Sequence, residues 1–236
     1  MTNIISTNGT PLTTGAKVRA GGYVPLGTAG GKSVVLTNLD KRVVKLSASE
    51  MKEMNLMALL GADWCEAGFT DFDEKKEQLF FNYRRLATKI ISDCQALGPY
   101  VDAYERKTGV WLMKDGHLVV NGRELWRADG TVLEHGIHDE RVYPACGDVG
   151  FDRATPAASD DEVKRALTAF GSLDWSHPLA SELLLGWFGL ALVSSAVRRR
   201  PHVLLTGPAG CGKSTILEEM KWLLGPLAFA CTGPQT

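Results

Sequence analysis

The chain has no excess charge of either sign, no paired cysteine motif and no signal for secretion. Its 26 basic and 27 acidic residues give a formal net charge of −1, so no global basic field favours nucleic acid as a partner. The five cysteines form no C-x-x-C pair, and their odd number does not suit a disulfide framework. This cysteine usage favours the reducing cytoplasm as the location of the protein.

The amino terminus and one apolar stretch bear on secretion and on membrane insertion. Residues 1–6 lack the basic start and the apolar core of a signal peptide. Residues 183–197 are strongly apolar, but they fall short of the roughly 20 residues that span a bilayer. Gly186 and Gly189 also interrupt this stretch. We therefore expect a buried core helix here and no membrane partner.

One stretch carries most of the functional information, the nine residues from Gly207 to Thr215. It reads Gly-Pro-Ala-Gly-Cys-Gly-Lys-Ser-Thr and fits the phosphate-loop pattern G-x-x-x-x-G-K-[ST] without a mismatch. Residues 202–206 are predicted to form a short buried strand before it, and residues 214–224 a helix after it. A phosphate chain needs this order, because the loop then presents backbone N–H groups at a helix N-terminus.

The predicted ligands of the loop are ATP and Mg²⁺. Lys213 would reach the β- and γ-phosphates and is the expected catalytic residue, and the Ser214 hydroxyl would be a ligand of the metal. The simpler alternative is a glycine-rich turn that binds nothing. All loop residues are predicted to contact the nucleotide: Gly207, Pro208, Ala209, Gly210, Cys211, Gly212, Lys213, Ser214 and Thr215.

The first half of the chain is predicted to mix short strands with helices. Turn signals separate three strand-like runs, residues 22–26, 33–37 and 42–46. Gly27 to Ser33 imitates a phosphate loop, but it is one residue short and a β-rich run follows, so we expect a hairpin turn. Ser47-x-x-Glu50 predicts a capped helix through Leu60. A longer helix is predicted from Asp73 to Leu97 by apolar residues at helical spacing, namely Leu79, Tyr83, Leu86, Ile90 and Cys94.

From Val110 the apolar period changes to two. Asp-Gly and Asn-Gly dipeptides separate four strand-like runs between Val110 and Leu133, which predicts an antiparallel meander. Trp111 and Trp126 are expected to pack its core, with base stacking as the alternative. His135 and His138 resemble a metal-binding pair in composition, but no cysteine stands nearby, so surface polarity is the preferred interpretation.

The second half is predicted to be mainly helical before the loop. Residues 147–158 have no periodicity and are typical of a linker, and Ser159-x-x-Glu162 predicts a helix through Phe170. Pro178 would open an apolar helix over residues 179–197. The triplet Arg198–Arg200 follows it, as cations that favour a helix C-terminus, with a DNA contact as the alternative.

These expectations combine into an α/β protein. A flexible tail (residues 1–21) precedes an α+β domain with the antiparallel meander (residues 22–150). A linker with one helix (residues 151–177) leads to the start of a P-loop NTPase domain (residues 178–236), which we expect to be truncated. A chain of 236 residues has room for one or two domains.

The loop, the apolar run Gly186-Trp-Phe-Gly-Leu-Ala and the run Arg200-Pro-His-Val-Leu-Leu resemble the phage and prophage DNA primase–helicase proteins. Looser similarity extends back to about residue 22, through Arg42-Val-Val-Lys-Leu and Gly109-Val-Trp-Leu-Met-Lys. The resemblance implies an AAA-like helicase core that moves DNA using ATP, usually as a homo-oligomeric ring. By motif match, only Gly207, Gly212, Lys213 and Ser214 carry over as nucleotide-contacting residues.

The sequence therefore predicts the ATP-binding part of a mobile-element DNA replication helicase. The alternatives are a non-replicative P-loop ATPase, defensive or regulatory, and a non-enzymatic adaptor with a vestigial loop. The second carboxylate motif, the sensor and the arginine finger of such enzymes are not visible, so we expect negligible ATP hydrolysis by this chain alone.

Overall fold

The computed structural model describes residues 3–5, 11–13 and 21–228, and it mixes helices with short antiparallel strands. The strands in these ranges are β1 (Asn3–Ile5), β2 (Pro11–Thr13), β3 (Tyr23–Ala29), β4 (Lys32–Thr37), β5 (Val43–Leu46), β6 (Thr70–Asp73), β7 (Gln78–Phe81), β8 (Gly109–Leu112), β9 (Leu118–Asn121), β10 (Leu125–Arg127), β11 (Val132–Leu133), β12 (Gly136–His138) and β13 (Arg141–Tyr143). The six helices there are α1 (Glu53–Leu60), α2 (Ala62–Phe69), α3 (Tyr83–Leu97), α4 (Asp160–Gly171), α5 (Ala180–Leu192) and α6 (Lys213–Leu224). The predicted mixture of α and β structure is confirmed.

The chain divides into two compact units. The first unit takes in residues 1–107 and 134–146, and the second takes in residues 108–133 and 147–236. Each unit has apolar clusters of its own.

The predicted domain limits at residues 150 and 177 stay predictions. The meander, however, belongs to the same compact unit as residues 147–236. Val110 and Val120 of the meander pack around Val149, and this cluster is completed by Phe151, Val193 and Leu227. A chain that ended at residue 150 would therefore remove part of the meander's own core.

The predicted tail falls mostly outside the described residues. Within it, β1 and β2 pair as an antiparallel ladder.

The first unit is built on the three-stranded antiparallel sheet β3-β4-β5. This confirms the three predicted strands. Gly30 and Gly31 form the turn between β3 and β4 with positive φ values of 55° and 74°, which glycine adopts without steric cost. Gly27 to Ser33 is therefore a hairpin, as predicted, because a strand follows it where a phosphate loop needs a helix.

Helix α3 packs against this sheet and closes the main core of the unit. Leu86, Ile90 and Cys94 recur on its buried face. The Cys94 thiol donates to the Val34 carbonyl at 3.4 Å, and burial raises the pKa of this thiol. The buried cluster of sheet and helices comprises Val35, Leu46, Met51, Leu56, Leu60, Cys65, Phe69, Phe81, Leu86, Ile90 and Cys94.

The helix predicted to open at Ser47 begins later. The side chain of Glu50 does accept hydrogen bonds from the Ser47 amide at 2.8 Å and from its hydroxyl at 2.5 Å. Those bonds close a turn, however, and α1 starts at Glu53. The predicted start is wrong because the same side-chain bonds can close an isolated turn without continuing into a helix.

The long helix predicted from Asp73 is also wrong over its first ten residues. That segment is the hairpin β6–β7, with Asp73 paired to Gln78, and Leu79 is 71% exposed. The helix begins only at Tyr83, because the Asn82 side chain accepts from the Arg85 amide at 3.0 Å and so caps the first turn. The prediction began the helix too early because Leu79, although it lies in a strand, has the same three- and four-residue spacing as the apolar residues of α3.

The second unit contains the predicted meander. The strands pair antiparallel in the order β11-β10-β9-β8, and this prediction is confirmed. Helix α4 is also confirmed, with Ser159 and Glu162 forming a reciprocal capping box. The backbone amide and the hydroxyl of Ser159 donate to this carboxylate and lower the pKa of Glu162.

Helix α5 is shorter than predicted and ends at Leu192. Arg198–Arg200 thus lies beyond the helix rather than in its last turn, and Arg200 Nε donates to the Ser194 carbonyl at 3.0 Å. Among the described residues, no helix has the length and apolar character that crossing a membrane requires.

The contrast between Leu86 and Leu79 gives a test of the corrected α3 boundary. Leu86→Ala should lower the free energy of unfolding by about 2–5 kcal/mol, because it leaves a cavity at a fully buried site. Leu79→Ala should change it by less than about 0.5 kcal/mol, because that side chain is exposed. Urea unfolding followed by circular dichroism measures both, and equal losses would contradict the hairpin over residues 70–81.

Candidate functional site

The segment before the candidate loop is not a strand. Residues 202–206 are predicted to form one, but their backbone makes no hydrogen bond with the described residues, and Leu204 is 86% exposed. The prediction is wrong here because a strand needs a neighbouring strand to pair its N–H and C=O groups, and no described strand pairs with this segment.

The loop itself uses the backbone freedom of its glycines. Gly207, Gly210 and Gly212 have positive φ values of 152°, 78° and 88°. A Cβ atom on Gly207 would lie 2.8 Å from the Cys211 sulfur, so the loop folds closely over itself at this point. A side chain at Gly207 would therefore meet both steric overlap and unfavourable backbone geometry.

Lys213 folds back over the loop. Its ammonium donates to the Gly207 carbonyl at 2.8 Å and to the Pro208 carbonyl at 2.7 Å. It also lies 3.5 Å from the Cys211 sulfur. The Lys213 ammonium thus links the start of the loop to the start of the helix by hydrogen bonds. It also places a positive charge at the loop.

Helix α6 begins at Lys213, one residue earlier than predicted. Its N-cap is Gly212 in a left-handed conformation, and no side chain caps the first turn. The first N–H groups of a helix have no partner within it, so the amides at this end are available to an anion. Ser214 and Thr215 lie in this turn and are exposed.

The remaining predicted loop residues, Pro208, Ala209, Gly210 and Cys211, are all exposed. Two of them have roles that the motif did not indicate, because the Pro208 carbonyl and the Cys211 sulfur contact the Lys213 ammonium. The amino-acid types at these two positions do not predict these contacts, since the contact at Pro208 is made by a backbone carbonyl. Whether these residues contact a nucleotide stays a prediction.

The predicted metal ligand of the loop is the Ser214 hydroxyl in the first turn of α6. No cluster of three or more His, Cys, Asp or Glu side chains suited to a metal occurs in the described part of the chain. Mg²⁺ commonly keeps several waters and takes other ligands from substrate phosphates, so a single hydroxyl in the first turn of α6 fits a metal that arrives with a nucleotide.

The other motifs have contacts of their own. His138 Nε2 donates to the Glu134 carbonyl at 2.7 Å, and its ring meets Tyr143 edge to face, so it has a structural role in the first unit. Trp126 packs around the meander's cluster and Trp111 is half-buried.

Comparisons with protein families, with curated proteins and with solved structures give no match for this chain.

The close contact between Gly207 and Cys211 predicts a pair of linked effects. Gly207→Ala should lower the thermal unfolding midpoint of the second unit and weaken ATP–Mg²⁺ binding, because the new methyl group meets the thiol. Adding Cys211→Ala should recover part of both losses, since the sulfur is then absent while the strain of a positive φ remains. Calorimetry measures both quantities, and a double variant no better than Gly207→Ala would contradict the contact.

Proposed function

We propose that this chain binds ATP–Mg²⁺ at residues 207–215 as part of a mobile-element DNA replication helicase. The observation that carries the proposal is the Lys213 ammonium, which folds onto the Gly207 and Pro208 carbonyls at the head of an uncapped helix. The complete G-x-x-x-x-G-K-[ST] pattern supports the same assignment.

The loop residues would divide the work of binding. The amides of the loop and of the first turn of α6 would hold phosphate oxygens, as helix N-termini do for anions. Lys213 would place its charge against the β- and γ-phosphates, and Ser214 would be a ligand of Mg²⁺. When bound, Mg²⁺ would neutralise part of the negative charge of the phosphates.

The helicase part of the proposal rests on the resemblance to primase–helicase proteins. That resemblance implies DNA as a partner and a homo-oligomeric ring, and the cysteine usage favours the cytoplasm as the location. A DNA-stimulated ATPase activity in a protein that carries the remaining catalytic motifs would separate it from a non-replicative P-loop ATPase.

One observation favours the adaptor alternative. Residues 202–206 pair with no described strand, and their apolar side chains Val203 and Leu204 are exposed. Such a surface is typical of a segment that contacts another structural element. In that case the loop would not need to bind a nucleotide at all.

The proposal predicts a specific effect at Lys213. Lys213→Ala should weaken ATP–Mg²⁺ binding about tenfold or more, because it removes a charge-assisted contact worth roughly 1.5–3 kcal/mol. Isothermal titration measures the affinities of both proteins.

The matched control is Lys221→Ala. Lys221 is an exposed lysine in the last turn of the same helix, about two helical turns beyond Lys213, and its loss should leave the affinity unchanged. Equal affinities for wild type and Lys213→Ala, or no binding by wild type, would refute the phosphate-loop assignment and favour the adaptor.

A further inference from the structure

A cleft of about 490 Å³ opens in the second unit beside the turn between β9 and β10. We call it the meander cleft. Its volume lies within the roughly 300–1,000 Å³ of typical small-molecule sites. It is lined by Gly122, Arg123, Glu124, Trp126, Asp148, Val149, Phe151, Asp152, Arg153 and Ala154.

Two aromatic rings form part of the cleft wall. Trp126 and Phe151 meet edge to face, with ring centroids 6.2 Å apart, and both side chains are only half-buried. Val149 is buried beside them. The cleft thus offers a flat group an apolar surface that the fold already holds in place.

Cationic side chains stand on the rim of the cleft. The Arg123 side chain is 79% exposed, and its guanidinium lies 3.6 Å from the Asp148 carboxylate. Arg153 makes one long hydrogen bond, 3.4 Å, to the Gly130 carbonyl. A guanidinium has five N–H donors, so both arginines keep donors for a ligand.

The carboxylates supply acceptors. Asp148 accepts from the Gly150 amide at 2.9 Å, and Asp152 accepts from the Thr155 hydroxyl at 3.1 Å. The Glu124 carboxylate makes neither a hydrogen bond nor an ion pair with the residues that the structure describes. Three carboxylates against two guanidiniums make the cleft unsuited to a polyphosphate group.

We propose that the meander cleft binds a nucleobase. A base is flat and stacks on aromatic side chains, and its polar edge carries donors and acceptors together. Carboxylates accept from exocyclic amino groups and arginines donate to ring nitrogen and carbonyl acceptors. Trp126 with Phe151, Glu124 and Arg123 provide these three kinds of contact in one cleft.

The base can come from two sources, a single-stranded nucleic acid or a free nucleoside. Two probes distinguish them, a fluorescein-labelled 12-nucleotide single-stranded DNA followed by anisotropy, and deoxycytidine followed by saturation-transfer NMR. Binding of both probes assigns the cleft to a base alone, and binding of only the DNA assigns it to a base held within a strand.

The variants locate the binding. Trp126→Leu should lower the affinity for the bound probe about tenfold, in line with the loss of one base–aromatic stack. Arg123→Gln should lower it several-fold. The latter changes only an exposed side chain, so it decides the question if Trp126→Leu fails to fold.

Matched controls keep the rest of the surface constant. Trp222→Leu and Arg165→Gln remove an exposed tryptophan and an exposed arginine that do not line the cleft, and both should bind as wild type does. Lys213→Ala should also bind the probes normally, which separates this cleft from the phosphate loop.

Three results would overturn the proposal. One is a wild-type protein that binds neither probe. Another is unchanged binding by folded Trp126→Leu and Arg123→Gln. The third is an equal loss of binding in the control variants Trp222→Leu and Arg165→Gln, which would place the binding outside the cleft.

Discussion

Every sheet in the described residues is held by backbone hydrogen bonds between strands that follow each other along the chain. Each pairing is antiparallel, as in β3-β4-β5 and in the meander β8–β11. Antiparallel neighbours need only a short turn between them, whereas parallel strands need a long crossover connection. Local closure therefore satisfies the polar backbone of most strands without help from distant parts of the chain.

Residues 202–206 show the consequence of the same constraint. They are apolar and have the composition of a buried strand, but no sequence neighbour can pair with them through a short turn. The loop and then helix α6 follow them, as in a crossover unit, in which the strand after the helix runs parallel to the strand before it. The loop between residues 202–206 and α6 nevertheless has positive φ values at Gly207, Gly210 and Gly212, because glycine permits them and the Lys213 contacts hold the loop locally.

Lys213 links structure and proposed function through one charge. Its contacts to two carbonyls close the loop, and the same ammonium is the group that would meet the phosphates. The buried thiols provide a contrast, since burial raises the pKa of Cys65 to about 11 and suits an inert core position. Cys211 is exposed beside the ammonium, where its sulfur limits what residue 207 can be.

The sequence by itself determined the elements whose signals are local. The turn at Gly30 and Gly31, the meander with its Asn-Gly and Asp-Gly turns, the capping box at Ser159 and the phosphate-loop pattern could all be read directly, because each depends on residues a few positions apart. Tertiary structure decided the rest. Leu79 fits the helical spacing of α3 in the sequence, but in the structure it belongs to β7, which pairs with β6. The core of the meander is completed by residues from positions 149–227. The predicted strand over residues 202–206 would need a partner strand that no local pattern can supply, since pairing joins backbones from different parts of the chain.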